Sequence, residues 1–294
     1  MRSFGRMTTK GVGQFKSAAA QEKYLQAYEI AMAQWPDPLA ALDVGTAHGT
    51  TRLYRFGSGP PVVLLPGLLA TAAGYWKLGP VLGEHRTVYA IDTLGEGGRS
   101  VQSVRFKDFE DRARCLDDVL GQLELEGAHL VGASTGGWHA VNQAIHRPDR
   151  LASISLLDPT TVTASFSAGV AAFGLVTSVL NREWIWRRFL RWCLGEDIYD
   201  SPEAQLLLSA IRHFRPGGPF QKVPAAESLR GVRVPVLALF GGDSVVHDSA
   251  AAARRLQELV PGAAVETITG AGHDVLRRPG DFDRVVQRVL DFTA

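Results

Sequence analysis

The chain has 294 residues, 46% hydrophobic and 21% charged, with 31 Lys and Arg set against 30 Asp and Glu. That length allows one large α/β domain or two smaller ones, and it buries enough surface to need no disulfide or metal staple. A net charge of +1 with no long run of one sign argues against nucleic-acid partners, and 31 Gly with 15 Pro are too few for a disordered chain. Cys115 and Cys193 share no C-x-x-C spacing and read as reduced thiols of a cytoplasmic protein. The basic residues Arg2, Arg6, Lys10 and Lys16 are followed by no apolar run, so a secretory signal is not expected. The uncharged run Thr160–Asn181 is broken by Thr160, Thr161, Thr163, Ser165, Ser167, Thr177 and Ser178, and does not read as a membrane span.

In chain order, residues 1–17 read as a flexible basic arm. Ala18–Ala33 has helical character, closed by Trp35-Pro36-Asp37-Pro38. Short apolar runs then alternate with helical patterns. Thr51–Phe56, Val62–Leu65, Thr87–Ile91, His129–Gly132, Leu151–Leu157, Val234–Phe240 and Ala264–Ile268 read as strands. Phe109–Leu125, Trp138–His146, Ala250–Leu259 and Phe282–Phe292 read as helices. Such alternation implies a mostly parallel sheet with helices on both faces. The interval 159–231 breaks the rhythm. It is helical and rich in Trp and Arg, and predicts a cap inserted into a core formed by 18–158 and 232–294.

The sharpest local signal is Gly132-Ala133-Ser134-Thr135-Gly136-Gly137. G-x-S-x-G alone is a weak pattern, but here an apolar strand runs into it and a helix leaves it, as a nucleophile elbow requires. An ordinary glycine-rich strand–helix turn is the plainer reading. A serine at its free pKa is a poor nucleophile and needs a base oriented by an acid. In chain order, Asp243 follows one late strand and His273 follows the next, so Ser134, Asp243 and His273 are the predicted triad. Asp158, at the end of Leu151–Leu157, competes for the acid's place, but Asp158-Pro159 reads more simply as the cap of a turn. The remaining histidines carry no motif. His139 and His146 read as packing or surface residues, His247 as solvated, and His48, His85, His129 and His213 as lacking a companion group. No metal site is predicted.

With these residues in place, the chain resembles the α/β-hydrolase superfamily from about Gln21 to Phe292. Pro66-Gly67-Leu68 stands where the family has its His-Gly-x oxyanion turn. Asp92–Ser100 resembles the Asp-x-x-Gly-x-Gly-x-Ser segment, one residue longer, and Gly270-Ala271-Gly272-His273 resembles the histidine loop. Tyr24, Tyr28 and Trp35-Pro36 look like a subgroup of bacterial serine carboxylesterases related to naproxen esterase. The resemblance implies an α/β-hydrolase fold: a mostly parallel, eight-stranded-type sheet with a helical cap. It also implies backbone oxyanion donors at Leu68 and Thr135 and no cofactor. The implied activity is hydrolysis of a carboxylic ester of an apolar small molecule through an acyl-enzyme. A thioesterase, lactonase or acyl-transferring cyclase would use the same residues, and a non-catalytic binding protein could keep the fold. Leu69, Trp76, Phe166, Phe173, Leu175 and Trp184 are the expected pocket lining, because ligand pockets are mostly apolar. The glycines at 169, 174, 217 and 218 are candidate hinges of the cap.

Overall fold

A computed structural model describes residues 11–180 and 182–294. The elements run β1 (Gln14–Phe15), α1 (Ala18–Met32), β2 (Ala40–Thr46), β3 (Gly49–Gly57), β4 (Pro61–Leu65), a 3-10 turn (Ala72–Tyr75), α2 (Leu78–Gly83), β5 (Thr87–Ile91), β6 (Val101–Gln102) and α3 (Phe109–Gln122). There follow β7 (Ala128–Ala133), α4 (Thr135–His146), β8 (Leu151–Leu157), α5 (Ala168–Leu180), α6 (Glu183–Leu194), α7 (Pro202–His213) and β9 (Phe214–Arg215). The chain ends with α8 (Ala226–Arg230), β10 (Val236–Gly241), α9 (Ser249–Leu259), β11 (Ala264–Ile268) and α10 (Pro279–Phe292).

One sheet has the order β11-β10-β8-β7-β4-β5-β3-β2, with β6 pairing beside β3. The strands from β11 to β5 are parallel, and β3 and β2 close the other edge antiparallel. The inner parallel strands β4, β5, β8 and β10 are largely buried on both faces, so their apolar residues run nearly continuously, while β11 at the edge keeps Thr267 exposed. In β4, Val62 and Leu64 enter the core beneath α1, α2 and α10, while Val63 and Leu65 enter the core beneath α3, α4 and α9. β5 follows β4 in sequence on one side, while β7 pairs with β4 on the other. The order therefore reverses at β4 and β7, and ligands of open α/β sheets bind beyond the carboxyl ends at such a switch point.

Two expectations differ from the structure. The first ten residues of the expected arm lie outside the described residues, but 13–17 are not loose. Gln14 and Phe15 pair antiparallel with Arg215 and Phe214, the Phe15 ring packs on Tyr24 and Phe214, and Gly13 N–H donates to Gln102 Oε1 at 2.7 Å. The interval 159–231 does contain helices, α5 to α8, yet α7 is not only part of a cap. Its Leu206 and Ala210 join Tyr24 and Tyr28 of α1 in the main core. β2 escaped the sequence reading because it is an edge strand in which only Val44 is buried.

Candidate active site

β7 carries the chain out of the core into Ser134, which takes φ 54° and ψ −118° before α4 begins at Thr135. A left-handed φ costs a non-glycine residue roughly 1–3 kcal/mol and persists only where neighbours fix it. Here Ser134 N–H donates to Leu157 O at 2.9 Å, and Ser134 O accepts from Gly137 N and Thr160 N. The flanking glycines are steric necessities. A Cβ at Gly136 would lie 1.8 Å from Leu65 O, and one at Gly132 would lie 2.2 Å from Gly136 O.

His273, in the loop after β11, places Nε2 2.9 Å from Ser134 Oγ. Its Nδ1 lies 2.6 Å from Asp158 Oδ2. Asp158 is fully buried at the end of β8. Its Oδ1 accepts from Gly241 N at 2.9 Å, and its Oδ2 accepts from Ser244 Oγ at 2.7 Å. Burial pushes the Asp158 carboxyl up, but the His247 and His273 imidazoles outweigh it and hold the group well below the usual carboxylate range.

Asp243 is therefore not the imidazole's partner, contrary to the sequence expectation. Its N–H donates to Ala271 O, its side chain is exposed, and its carboxylate makes no hydrogen bond among the described residues. The reason is topological. β8 lies between β7 and β10, so the residue ending β8 stands beside the serine's strand, whereas Asp243 lies past the end of β10 in the turn toward α9. Nor is Asp158 merely a turn cap.

Several histidines also differ from expectation. His247 is buried, with Nε2 3.4 Å from Asp158 Oδ1, an ion-pair distance without hydrogen-bond alignment. His139 does pack inside, but it also meets Glu96 at 3.2 Å. His129 Nδ1 meets Ser153 Oγ at 2.7 Å, and His48 lies 3.6 Å from Asp111. Sequence spacing gave no sign of these partners, which come from other strands, helices and loops. Among the described residues, no group of three His, Cys, Asp or Glu is placed to hold a metal ion.

The turn Pro66–Ala70 passes directly over the serine: a Cβ at Gly67 would lie 3.3 Å from Ser134 Cβ. Neither Leu68 N–H nor Thr135 N–H has an acceptor among the described residues. Thr135 is also the first residue of α4, where the helix dipole favours negative charge. A cleft of about 190 Å3 opens above Ser134 and His273, walled by Ala70, Tyr75, Leu157, Leu194, Val275 and Leu276.

None of the six expected pocket residues lines this cleft. Phe173 is engaged in helix packing, its ring 5.2 Å from Phe189 and 5.7 Å from Trp192. With Trp184 it borders a separate open groove on the outer side of α6, beside Arg187, Arg188 and Arg191. Phe166 and Leu175 are exposed, Trp76 borders a different small cleft beneath Lys77 and Leu78, and Leu69 is buried under its own turn. The insertion reaches the site instead through the end of α6, where Leu194 walls the cleft and Cys193 O accepts from His273 N. Gly169 is better explained by close packing than by a hinge, since a Cβ there would meet the Trp192 ring at 3.1 Å.

The fold agrees with comparisons to known proteins. A model of the alpha/beta hydrolase family matches residues 62–285. Carboxylesterase YbfK of Bacillus subtilis is 30% identical over 292 residues, covering 95% of this chain and 96% of the relative. The crystal structure of naproxen esterase (carboxylesterase NP) from Bacillus subtilis superposes with a TM-score of 0.87 at 25% identity, covering 95% of this chain and 100% of that one. That of carboxylesterase CesB (YbfK) gives 0.84 at 27% identity, covering 94% and 98%. The chain thus belongs to the alpha/beta hydrolase family, as a carboxylesterase-like hydrolase.

Proposed function

We propose that this protein hydrolyses a carboxylic ester of a small apolar molecule through an acyl-enzyme. The reading rests on one observation, the unbroken chain from Ser134 Oγ through His273 to Asp158 at 2.9 and 2.6 Å. Ser134 Oγ attacks the acyl carbonyl while His273 Nε2 takes its proton. Asp158 keeps the second proton on Nδ1, so that Nε2 stays a base, and stabilises the imidazolium that forms. The oxyanion is met by Leu68 N–H and Thr135 N–H, a contribution of about 3–4 kcal/mol per donor in comparable sites. His273 then protonates the leaving alcohol, and water attacks the acyl-serine with His273 again as base. The apolar walls of a 190 Å3 cleft suit a compact acyl group. Both cysteines are buried and unpaired, in keeping with a reducing cytoplasmic setting.

The test is labelling with a fluorophosphonate probe, combined with turnover of p-nitrophenyl esters of increasing acyl length, aryl thioesters and lactones. Labelling confined to Ser134, with esters of short and medium acyl chains turned over best, is the expected result. A thioester or lactone preference would move the substrate class, while absence of both labelling and turnover would leave a binding protein.

A further inference from the structure

Resting on the oxyanion assignment just made, we propose that Glu96 is a positioning residue: it holds the Leu68–Leu69 turn in the conformation that offers the Leu68 amide to the oxyanion. The turn is closed by Ala70 N–H donating to Gly67 O at 3.0 Å. Its third residue, Leu69, has φ 58°. That is the sense of a type II turn, which glycine or asparagine adopts readily and leucine does not. A leucine here keeps this form only if something outside the turn holds the 68–69 peptide; with that hold lost, the peptide turns over and the turn that carries the Leu68 amide loses its fixed place above Ser134. Glu96 supplies that hold, because its Oε2 accepts from Leu69 N–H at 3.0 Å, with both residues buried.

The other carboxylate oxygen faces the nucleophile's helix. Glu96 Oε1 lies 3.2 Å from His139 Nε2 on α4, the helix whose first residue is the second proposed donor, Thr135. One side chain thus joins the two halves of the oxyanion site. The loop that presents it is itself anchored. Asp92 Oδ2 accepts from Tyr28 OH at 2.7 Å and from Arg99 N at 2.8 Å, and Gly98 N–H donates to Tyr24 OH at 2.6 Å. Gly97 lets this loop press against the turn, since a Cβ there would lie 3.2 Å from Leu69 O. The extra residue of the Asp92–Ser100 segment therefore lies in the loop that brings a carboxylate under the oxyanion turn. A carboxylate only 2% exposed is costly to bury, and the triad does not use this one. Its bond to a backbone N–H is of the stronger, charge-assisted kind.

The experiment compares Glu96→Ala and Glu96→Gln with the parent in three measurements: ester kinetics, inhibition by an apolar trifluoromethyl ketone, and amide exchange over residues 65–76. Loss of a whole oxyanion donor costs about 10²–10³ in kcat, so displacing one should cost Glu96→Ala roughly 10–100-fold, with KM within about twofold. The ketone forms a tetrahedral adduct on Ser134, so its Ki should rise by the same factor, which a general loss of stability would not produce. Exchange should quicken at Leu69 and Ala70. Glu96→Gln, whose Oε1 still accepts from Leu69 N–H, should restore most of both. Unchanged exchange at Leu69 in Glu96→Ala would overturn the proposal, as would a fall in kcat with unaltered ketone affinity. Turnover and labelling of the parent protein test the ester-hydrolase reading separately. Should the parent prove inert, the exchange measurement still decides whether Glu96 holds the turn.

Discussion

Replacing Asp158 by Asn tests the site at the point where chain order and geometry part. The carboxylate receives Gly241 N–H, Ser244 Oγ–H and His273 Nδ1, with His247 against its far side. An asparagine keeps the shape and can still accept from Gly241 through Oδ1. Its Nδ2 then faces Ser244 and His273, and as a donor it forces His273 into the tautomer protonated on Nε2. That nitrogen lies 2.9 Å from Ser134 Oγ and can no longer take its proton. The corresponding exchange in a serine-protease triad lowers kcat about 10⁴-fold, or roughly 5 kcal/mol of transition-state stabilisation, with the geometry intact. We expect that magnitude for Asp158→Asn on p-nitrophenyl butyrate. Asp243→Asn alters an exposed side chain and should stay within about twofold, since surface changes are usually within ±0.5 kcal/mol. Thermal unfolding of both variants separates misfolding from lost chemistry. Comparable losses at both positions, or a greater loss at 243, would refute the assignment.

Ser134→Ala should abolish fluorophosphonate labelling and lower kcat by about 10⁶, as nucleophile removal does in comparable triads, while melting within a few degrees of the parent. Alanine is no worse than serine at φ 54°, so a large loss of stability would contradict the account of the elbow. Enlarging the cleft wall by Leu194→Phe should shift the preferred ester toward shorter acyl chains, whereas Phe173→Ala should leave the preference unchanged; the reverse pattern would return the pocket to the outer face of α6. His139 is depressed by burial, against the opposing pull of Glu96, with Arg112 lowering it further. The unfolded chain therefore binds a proton near pH 6.5 that the native state refuses, so the stability His139 contributes is present above that pH and lost as pH falls toward its native value. The melting temperature should drop from pH 7 to pH 5, and less so in His139→Gln; equal slopes would remove His139 from the acid response.

Much of the fold was legible because buried parallel strands write themselves as apolar runs. Thr87–Ile91 and Leu151–Leu157 stand as strands with the bounds read from the sequence, Val62–Leu65 is extended only by Pro61, and the edge strand Ala264–Ile268 also keeps its bounds. What sequence could not show was where strands without such runs would dock. β2 presents one buried side chain and borrows its order from pairing with β3. β1 and β9 are two residues each, and exist only because α7 brings Phe214 beside Phe15. The same holds for α7, whose Leu206 and Ala210 look like any amphipathic stripe until α1 is found beneath them.

The site divides along the same line. Ser134 and His273 announced themselves because the elbow and the histidine loop are local conformations, enforced by glycines a few residues away. The acid is different, since its identity depends on which strand end lies next to which. Both Asp158 and Asp243 follow strands, and only the sheet order, β7 then β8 then β10, decides between them. Asp243 lies near the imidazole loop through its backbone alone, donating to Ala271 O, while Ser244 and Gly241 from the same turn bond to Asp158. The β10 turn thus serves the site as the carrier of donors that hold the β8 carboxylate in place. Glu96 follows the same logic: its side chain matters through Leu69 and His139, distant in sequence and adjacent only in the folded chain. A carboxylate that works through a partner leaves no local pattern, because the partner's position is a property of the topology.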